Sequence, residues 1–356
     1  AAMKNLQRIK NMSTPALIGC AGAAALALAA LIFFAVAAAT AYRPAPRETL
    51  YNRLQPALCL ADTLTITTWN VGYCGLSAEA DFFYDGGKMV RESEPRVREN
   101  LRHVADFLQH NGSDFTLLQE LDRHSKRSYY MDELDTIVAQ QENVHPFFAT
   151  NFKTLYVPIP LRGAIGRVHA GVATLSRCKP YLVVRHAYPF AKPFPVSLFE
   201  LRRCFLACRY TAPNGRDLVL VNTHNSAYDN GSQRQREMQL LRDFAMQEFD
   251  DGNYVIVGGD WNQTPPDYDK QVGTKEYTPF RLDSTLFAQG WHWVYDRSCE
   301  TMRFTNEPYR EGKTLSSTVD FFIASPHVQA LSVTVHDLSF AHSDHNPVTA
   351  KFELQK

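Results

Sequence analysis

The sequence has no net charge and no internal repeat. Its 356 residues include 37 basic and 37 acidic side chains; 21% of the residues are charged and 45% are hydrophobic. These values exclude a disordered chain, a collagen-like fibre and a highly basic nucleic-acid-binding protein. The first 42 residues hold three bases and no acid, so the other 314 carry 34 basic and 37 acidic groups. With a net charge of −3, that larger part lacks a strong general attraction for polyanions.

Cysteines with zinc-ligand spacing are also absent. The sequence has no CxxC motif and no Cys/His spacing typical of zinc sites, which argues against a structural zinc ion. Cys204 and Cys208 lie on a predicted strand, where four residues span about 13 Å, too far for a mutual disulfide. Apart from Cys20 there is an even set of six, which leaves open both disulfides and buried free thiols: Cys59, Cys74, Cys178, Cys204, Cys208 and Cys299.

The sequence does contain one long apolar stretch near its start. No residue from Pro15 to Ala41 is charged. About 20 such residues suffice for a membrane-spanning helix, whereas the apolar region of a secretory signal is about 7 to 15 residues long. We therefore interpret residues 15–41 as a transmembrane anchor after a short basic tail at 1–14. The small residues at 35–39 keep a cleaved signal as the alternative.

The charges that flank this stretch predict its orientation. The three bases of the tail favour a cytoplasmic N-terminus, although Arg43, Arg47 and Arg53 lie on the other flank. We expect a single-pass membrane protein whose larger part lies outside the cytoplasm. Residues 42–61, which contain three prolines, are predicted to form a stalk.

From residue 62 onward, hydrophobic patterning alternates between strand and helix periods. The alternating β-branched stretch at 64–69 predicts a strand, and apolar residues on one face of 96–109 predict a helix. We interpret residues 62–356 as one α/β domain with a large core. Further strands are predicted at 115–118, 171–175, 182–184, 201–210, 218–221, 254–257, 318–323 and 348–352, helices at 129–142 and 233–249, and extended loops at 72–94 and 151–169.

Polar residues interrupt six of these apolar stretches. An acid or amide near the end of one strand is ordinarily a turn residue. Six such interruptions form a cluster if the strands pack side by side, and buried carboxylates then need a metal or another partner. The interruptions are Trp69-Asn70, Gln119-Glu120, Asn222-Thr223-His224, Asp260-Trp261-Asn262, Asp320 within its strand, and Ser343-Asp344-His345 before the last strand.

In this order, the motifs WN, QE, NTH, GDWN, VDF and SDHNP resemble the endonuclease/exonuclease/phosphatase superfamily. That superfamily includes pancreatic deoxyribonuclease, AP endonucleases, bacterial sphingomyelinases and inositol-polyphosphate 5-phosphatases. The resemblance covers roughly residues 62–354. It implies a four-layered α/β sandwich, with two mixed β-sheets packed face to face and flanked by helices, and a site at one end of the sheets.

The resemblance also implies a metal site. Glu120 would be the principal Mg²⁺ ligand, with Asn70 beside it and Asp344 as an additional carboxylate on the metal side. Hard divalent cations prefer such oxygen ligands, and Mn²⁺ is a possible substitute. The metal would polarise a phosphoryl oxygen and stabilise the leaving oxyanion.

The same resemblance implies the catalytic roles. His345 would act as general base on the attacking water, with Asp320 fixing its tautomer. The alternative assigns the base to Asp260 and lets His345 help to hold the phosphate. Asp260 and Asn262 would position the nucleophile and the scissile phosphate, and no covalent intermediate is implied.

Two further residues follow the NTH strand end. His224 matches the deoxyribonuclease and sphingomyelinase branch, where it would donate to a phosphate oxygen or protonate the leaving group; the alternative is a structural hydrogen bond. Tyr228 lies in the next polar loop, and substrate contact and plain solvation remain open. AP endonucleases carry an acid shortly after the first Asn, whereas Val71 and Gly72 follow Asn70 here. His224 also replaces the Tyr-type strand end of AP endonucleases. The missing acid and this replacement both separate the chain from abasic-site repair enzymes.

The sequence thus predicts a membrane-tethered, Mg²⁺-dependent phosphoester hydrolase, with a phosphodiester favoured by resemblance alone. The negative charge and the anchor favour a lipid-linked or small substrate over duplex DNA. A metal-dependent nuclease acting on nucleic acid is the alternative. A non-catalytic binding domain on the same fold is the alternative of another class, and the presence of Glu120 and His345 argues against it. No protein partner is implied.

Overall fold

We analysed a computed structural model of the chain, which describes residues 13–53, 60–189, 192–229 and 231–355. Within these ranges the helices are α1 (Thr14–Ala39), α2 (Glu94–Asn111), α3 (Glu133–Val138) and α4 (Ser232–Asp250). The strands are β1 (Arg47–Asn52), β2 (Thr63–Asn70), β3 (Phe115–Asp122), β4 (His145–Val157), β5 (Gly166–Ser176), β6 (Leu182–Ala187), β7 (Cys204–Thr211), β8 (Asp217–His224), β9 (Tyr254–Asp260), β10 (Gln263–Thr264), β11 (Phe280–Arg281), β12 (His292–Val294), β13 (Met302–Arg303), β14 (Ser316–Ser317), β15 (Asp320–Ala324), β16 (Val328–Val335) and β17 (Val348–Leu354).

Helix α1 covers most of the apolar stretch that the sequence predicts as an anchor. It has 26 residues, and none of them is buried by the rest of the protein. Its length and composition are sufficient for it to cross a membrane. Pro15 lies in its first turn, a position where a missing backbone N–H costs no helical hydrogen bond.

Two large sheets form the body of the protein. One has the strand order β1-β6-β7-β8-β9-β15-β12, and the other has the order β16-β17-β2-β3-β5-β4. Their inner faces share one apolar core, in which Phe322 of the first sheet contacts Phe352 of the second with ring centroids 5.6 Å apart. Strands β8 and β9 are buried along most of their length, which explains their continuous apolar sequences.

The two long helices after α1 cover the outer faces of these sheets. Helix α2 packs Val97, Leu101 and Val104 against the β2–β3 side. Helix α4 packs Met238 and Leu241 against β8 and β9. The result is helix, sheet, sheet and helix in sequence, and it confirms the α/β sandwich predicted from the motifs.

The topology brings the polar interruptions to one edge of the sandwich. Strand β2 runs parallel to β3, and β8 runs parallel to β9, so their carboxyl ends lie together. Strand β15 is antiparallel to β9 and begins at Asp320, directly opposite Asp260. Strand β17 is antiparallel to β2, so the segment before β17 reaches the same edge.

Three segments differ from the sequence-based expectations. Within the predicted stalk at 42–61, β1 pairs with β6 as an edge strand, and its mostly exposed side chains gave no apolar pattern. The predicted loop 151–169 is largely strand, because β4 runs to Val157 and β5 begins at Gly166. The helix predicted at 129–142 is confined to α3. Tyr129 and Tyr130 have positive φ, and Asp132 caps the start of α3 by accepting a hydrogen bond from the Asp135 backbone N–H.

The described cysteines include one that is in a disulfide and several free thiols. Cys178 is disulfide-bonded, and Cys59 lies outside the described residues. The free thiols within the described residues include Cys204 and Cys208, which do not pair with each other, as the strand geometry predicts.

Candidate active site

A buried histidine–aspartate pair lies at the edge where the strands end. Nδ1 of His345 is 2.7 Å from Oδ2 of Asp320, and the Thr301 hydroxyl donates to the same oxygen at 2.7 Å. The Trp69 indole donates to the His345 carbonyl at 2.8 Å and fixes the backbone. Because Nδ1 is engaged by a carboxylate, Nε2 is the atom that His345 presents to the cleft.

The Asp260 carboxylate is contacted by three side chains and one backbone N–H. Its Oδ2 accepts a hydrogen bond from the Asn70 amide at 2.9 Å. The same oxygen lies 3.5 Å from Nε2 of His224 and 4.0 Å from Nε2 of His345. Its Oδ1 accepts the Asn262 backbone N–H at 2.8 Å. Two imidazoles and the Asn70 amide therefore converge on one carboxylate oxygen of Asp260.

Glu120 reaches the same space through a local break in β3. The pairing of β3 with β5 shifts register between Leu118 and Leu121, and Glu120 has a φ of +54°. This bulge aims its side chain at Asn70, with Oε1 3.4 Å from the amide nitrogen, and Oε1 lies 3.7 Å from Nε2 of His224. A non-glycine residue with positive φ is uncommon and marks a position held by its surroundings.

Asp344 lies beside Gly72, on the other side of the cleft floor. A Cβ added at position 72 would come within 2.7 Å of Oδ1 of Asp344, and Gly72 has a φ of +51°. The glycine is therefore required both by its backbone conformation and by the approach of this carboxylate.

The charges of these groups are strongly coupled. Burial, reinforced by Asp320, raises the pKa of Asp260 to about 7, and burial, reinforced by Glu120, raises the pKa of Asp344 to about 7. Burial would lower the pKa of His345, but Asp320 and the other carboxylates outweigh it and raise that pKa to about 10. Burial, with Arg203 and His345 nearby, lowers the pKa of His224 well below its usual value. Burial and mutual repulsion therefore disfavour the charged forms of the Asp260 and Asp344 carboxylates.

Such a donor set fits a hard divalent cation. Glu120 and Asp344 offer carboxylate oxygens to the cleft, and Asn70 lies between Glu120 and Asp260. Asp260, Asp320 and His345 also form a tight group of potential ligands. In that group, however, Nδ1 of His345 and Oδ2 of Asp320 are already hydrogen-bonded to each other. This arrangement orients the imidazole and leaves fewer free ligand atoms for a metal ion.

The structure brings together all the residues that the sequence predicts for the site. Asn262 has a φ of +51°; its amide donates to the Asn225 carbonyl, and its Oδ1 accepts from Tyr277 at 2.9 Å. Tyr228 lines the cleft, and its hydroxyl lies 2.5 Å from Oδ1 of Asp85. Tyr228 is therefore tied to the segment after β2 and is not simply solvated.

Several cleft residues carry no recognisable sequence signal. Tyr277 and Asp85 act through the contacts just described, and four basic residues line the cleft: Arg127, Lys192, Arg203 and Arg303. Arg127 is held by two hydrogen bonds of 2.9 Å to Asp122, and its guanidinium lies 3.8 Å from the Tyr73 ring centre. They lie outside the quoted motifs, so only the folded chain reveals their position.

The cleft is larger than the polar cluster at its base. It encloses a cavity of about 540 Å³. Its floor carries the carboxylates and both imidazoles, whereas its other wall is formed by Phe152, Val157, Ile165, Phe199 and Leu201. This combination of a charged floor and an apolar wall is typical of a site for a mixed polar and apolar ligand.

Known structures share this architecture. An endonuclease/exonuclease/phosphatase protein from Beutenbergia cavernae is 18% identical, with 82% of this chain and 72% of that chain covered and a TM-score of 0.54. TDP2 from D. rerio, complexed with single strand DNA product, is 16% identical, with 82% and 100% covered and a TM-score of 0.53. ANGEL2, a 2',3'-cyclic phosphatase, is 15% identical, with 88% and 99% covered and a TM-score of 0.53. At these identities the similarity establishes the fold.

Sequence comparison gives the family. No match is found among curated proteins. The family model described as "Endonuclease/Exonuclease/phosphatase family" matches residues 67–345. This range contains every one of the polar strand ends described above. The chain belongs to the endonuclease/exonuclease/phosphatase family.

Proposed function

We propose that the protein is a membrane-tethered, divalent-metal-dependent phosphoester hydrolase that uses water as its nucleophile. The observation that carries the proposal is the convergence at Asp260: an imidazole oriented by Asp320, a second imidazole and the Asn70 amide all face one carboxylate oxygen. Glu120 and Asp344 add two carboxylates to the same cleft. Proton transfer and charge stabilisation can therefore act on one bound phosphate.

In this proposal, His345 and Asp260 divide two tasks. Nε2 of His345 and Oδ2 of Asp260 are 4.0 Å apart, so one water can contact both. One group takes the proton of that water, and the other holds the water or a phosphoryl oxygen in place. The neighbouring carboxylates raise the pKa of His345 to about 10 and so favour its protonated form, which suits a phosphate-holding role. Neutralisation of those carboxylates by a cation would lower the pKa of His345 towards that of a general base.

His224 and Asn262 are proposed to act on the other side of the phosphate. Burial keeps His224 neutral, and its Nε2 faces the space between Glu120 and Asp260. A neutral imidazole there can donate a hydrogen bond to a phosphate or leaving-group oxygen. Asn262 is fixed by Tyr277 and by Asn225, so it can hold the phosphate without losing rotamer freedom on binding.

We assign the metal to Glu120 and Asp344, with Asn70 beside Glu120. The Asn70 side-chain oxygen accepts the Gly72 backbone N–H at 3.0 Å, which orients this amide at the edge of the site. Mg²⁺ suits these oxygen donors, and Mn²⁺ is a possible substitute. The bound ion would supply Lewis-acid stabilisation of phosphoryl and leaving oxygens. The protein's own part is to hold these donors at a bulge and beside a glycine, where the backbone fixes their direction.

We propose a lipid-linked or small phosphodiester as substrate. The chain after residue 42 has a net charge of −3, and one wall of the cleft is apolar. A nuclease is the second candidate, favoured by the solved TDP2 complex with a single strand DNA product on the same fold and by the four basic residues in the cleft. The anchor at residues 15–41 would hold the site near the bilayer, with the N-terminus cytoplasmic and the catalytic domain outside the cytoplasm.

The proposal is tested by hydrolysis of a chromogenic phosphodiester with added Mg²⁺. Wild type should turn it over, and His345→Ala should be nearly inactive. His342→Ala is the matched control, because His342 lies three residues earlier but stacks on His103 at 4.0 Å. Equal activity of wild type and His345→Ala would refute the assigned site.

A further inference from the structure

Exposed apolar side chains cluster in two segments that also contribute lining residues to the cleft. We define the apolar rim as residues 155–161 and 194–199. Of fourteen exposed large hydrophobic side chains that the structure describes outside α1, six lie in these two short segments. Surface apolar residues are ordinary when scattered, but a contiguous group marks an interaction surface. The six are Leu155, Tyr156, Ile159, Leu161, Phe194 and Val196.

This apolar rim is continuous with the wall of the active-site cavity. Val157, Ile159, Val196 and Phe199 line the same 540 Å³ cavity whose floor holds the carboxylates. A ligand can therefore place a phosphate at the floor and keep an apolar chain on protein surface as far as the rim.

The C-terminal end of α1 lies directly on the apolar rim. The Phe33 ring stacks on Phe199 with centroids 5.7 Å apart and meets Tyr156 edge-on at 6.5 Å. The neighbouring Phe34 lies 6.2 Å from Phe194. Both rim segments therefore contact the last two turns of the helix that is long enough to cross a membrane.

These contacts relate the position of the apolar rim to the length of α1, and so to a bilayer that α1 would cross. Helix α1 has 26 residues, which is about 39 Å of helix against a hydrocarbon core of about 30 Å. Phe33 lies six residues before the end of α1 at Ala39, about 9 Å along the axis. A centred α1 would extend about 4 to 5 Å beyond the hydrocarbon at each end, so Phe33 would lie just inside the hydrocarbon boundary. Side chains that touch Phe33 would lie at that boundary too.

Basic residues surround the apolar rim, although the domain as a whole is acidic. Residues 151–169 and 192–203 contain six bases and one acid. Burial, reinforced by the nearby Arg43 just after α1, lowers the pKa of Arg202. Lys and Arg side chains in such a local excess can pair with the phosphate groups of lipid headgroups. Apolar side chains bordered by bases suit the boundary between headgroups and acyl chains.

We propose that the apolar rim rests in the surface of the membrane that α1 crosses, so that the cleft opens towards the bilayer and takes its substrate from it. The substrate is then a lipid phosphoester, with its phosphate at the carboxylate floor and its apolar chain along Val157, Ile159 and Phe199. This inference rests on the proposed hydrolase activity for its chemistry and adds the surface that presents the substrate.

The first test uses full-length protein in liposomes that contain a lipid phosphodiester, with a water-soluble chromogenic diester assayed in parallel. The variants are Leu161→Ser and Phe194→Ser, singly and together, because these side chains are 95% and 68% exposed and do not line the cavity. Leu331→Ser, at a 45% exposed leucine on β16, is the matched control. The double rim variant should lose about tenfold or more on the lipid, since two apolar anchors leave the membrane, and should keep its rate on the soluble diester.

The second test reports on the apolar rim without any turnover. Leu161→Trp in liposomes with brominated phospholipids should show quenching of the added tryptophan fluorescence, and Leu331→Trp should not. Equal lipid turnover by the double rim variant and wild type, or no quenching at position 161, would overturn the proposal. Failure of wild type on both diesters, with quenching retained, would refute the hydrolase function and leave the membrane surface standing.

Discussion

The two ends of the cleft are built in different ways. The polar floor is formed by the ends of β2, β3, β8, β9 and β15, which belong to the two large sheets, and by the segment before β17. The apolar rim is formed by the last residues of β4, by the start of the β4–β5 connection and by the segment before β7. Sheet register fixes the floor, because a shift of one residue would turn every side chain to the opposite face. The rim can change without disturbing the floor, which lets one chemistry serve different substrates.

Removal of the divalent cation should have the largest effect on turnover, and it should affect only the polar floor of the cleft. Turnover of the soluble diester should vanish in chelator and return with Mg²⁺ or Mn²⁺, because the carboxylates at Glu120 and Asp344 need a positive partner. Glu120→Gln should weaken the metal dependence with little change in thermal unfolding, and Glu99→Gln on the surface of α2 is the control. Full turnover in chelator would contradict the assigned mechanism.

Substitution within the histidine–aspartate pair should have the next largest effect. His345→Ala should reduce kcat by about 10²- to 10⁴-fold, as loss of a positioned acid or base does. Asp320→Asn should also be badly impaired, since it removes the carboxylate 2.7 Å from Nδ1 and with it the tautomer. Steady-state kinetics with a thermal-unfolding control measure both. If both variants keep most of their activity, the site lies elsewhere.

Release of the domain from α1 should distinguish the contribution of the apolar rim from that of the polar floor. A protease site placed between residues 40 and 43 would free the domain and retain β1, which completes the edge of the seven-stranded sheet. We expect the rate on a lipid in vesicles to fall about tenfold or more as the effective concentration falls. The rate on a small diester should be unchanged. Equal loss on both substrates would show that α1 supports the fold and not substrate access.

A smaller effect concerns stability in acid and a histidine that is not among the cleft-lining residues. Burial against Phe205, reinforced by Arg47 and Arg209, lowers the pKa of His186 to about 4. As pH falls from about 6.5 to about 4, the unfolded chain therefore takes up a proton that the folded chain does not, and stability is lost over this window. His186→Phe should reduce that loss by up to about 3 kcal/mol, with His292→Phe on β12 as the exposed control. Denaturant unfolding at pH 7 and pH 4 measures the difference, and an unchanged pH dependence would contradict the account.

Sequence reasoning located the floor of the cleft better than its rim. Asn70, Glu120 and Asp260 each follow a clear apolar strand, so their meeting at one edge was predictable from parallel strands alone. Strand β4 was not, because its alternation is interrupted by polar residues and its register with β5 shifts twice. Arg203 and Tyr277 are brought to the cleft by long-range packing, for which no local pattern exists.

The central claim is that the converging strand ends hydrolyse a phosphoester. The most direct measurement is a hydrolysis panel with Mg²⁺ that compares a chromogenic diester, sphingomyelin, phosphoinositides, RNA and DNA, each with wild type and His345→Ala. We predict metal-dependent hydrolysis of the small diester to an alcohol and a phosphomonoester, and hydrolysis of at least one lipid phosphoester. Both should be more efficient than cleavage of duplex DNA and should be abolished by His345→Ala. Efficient sequence-independent DNA cleavage without lipid turnover would replace the lipid substrate by nucleic acid, and no turnover of any substrate by folded, metal-loaded protein would contradict the claim itself.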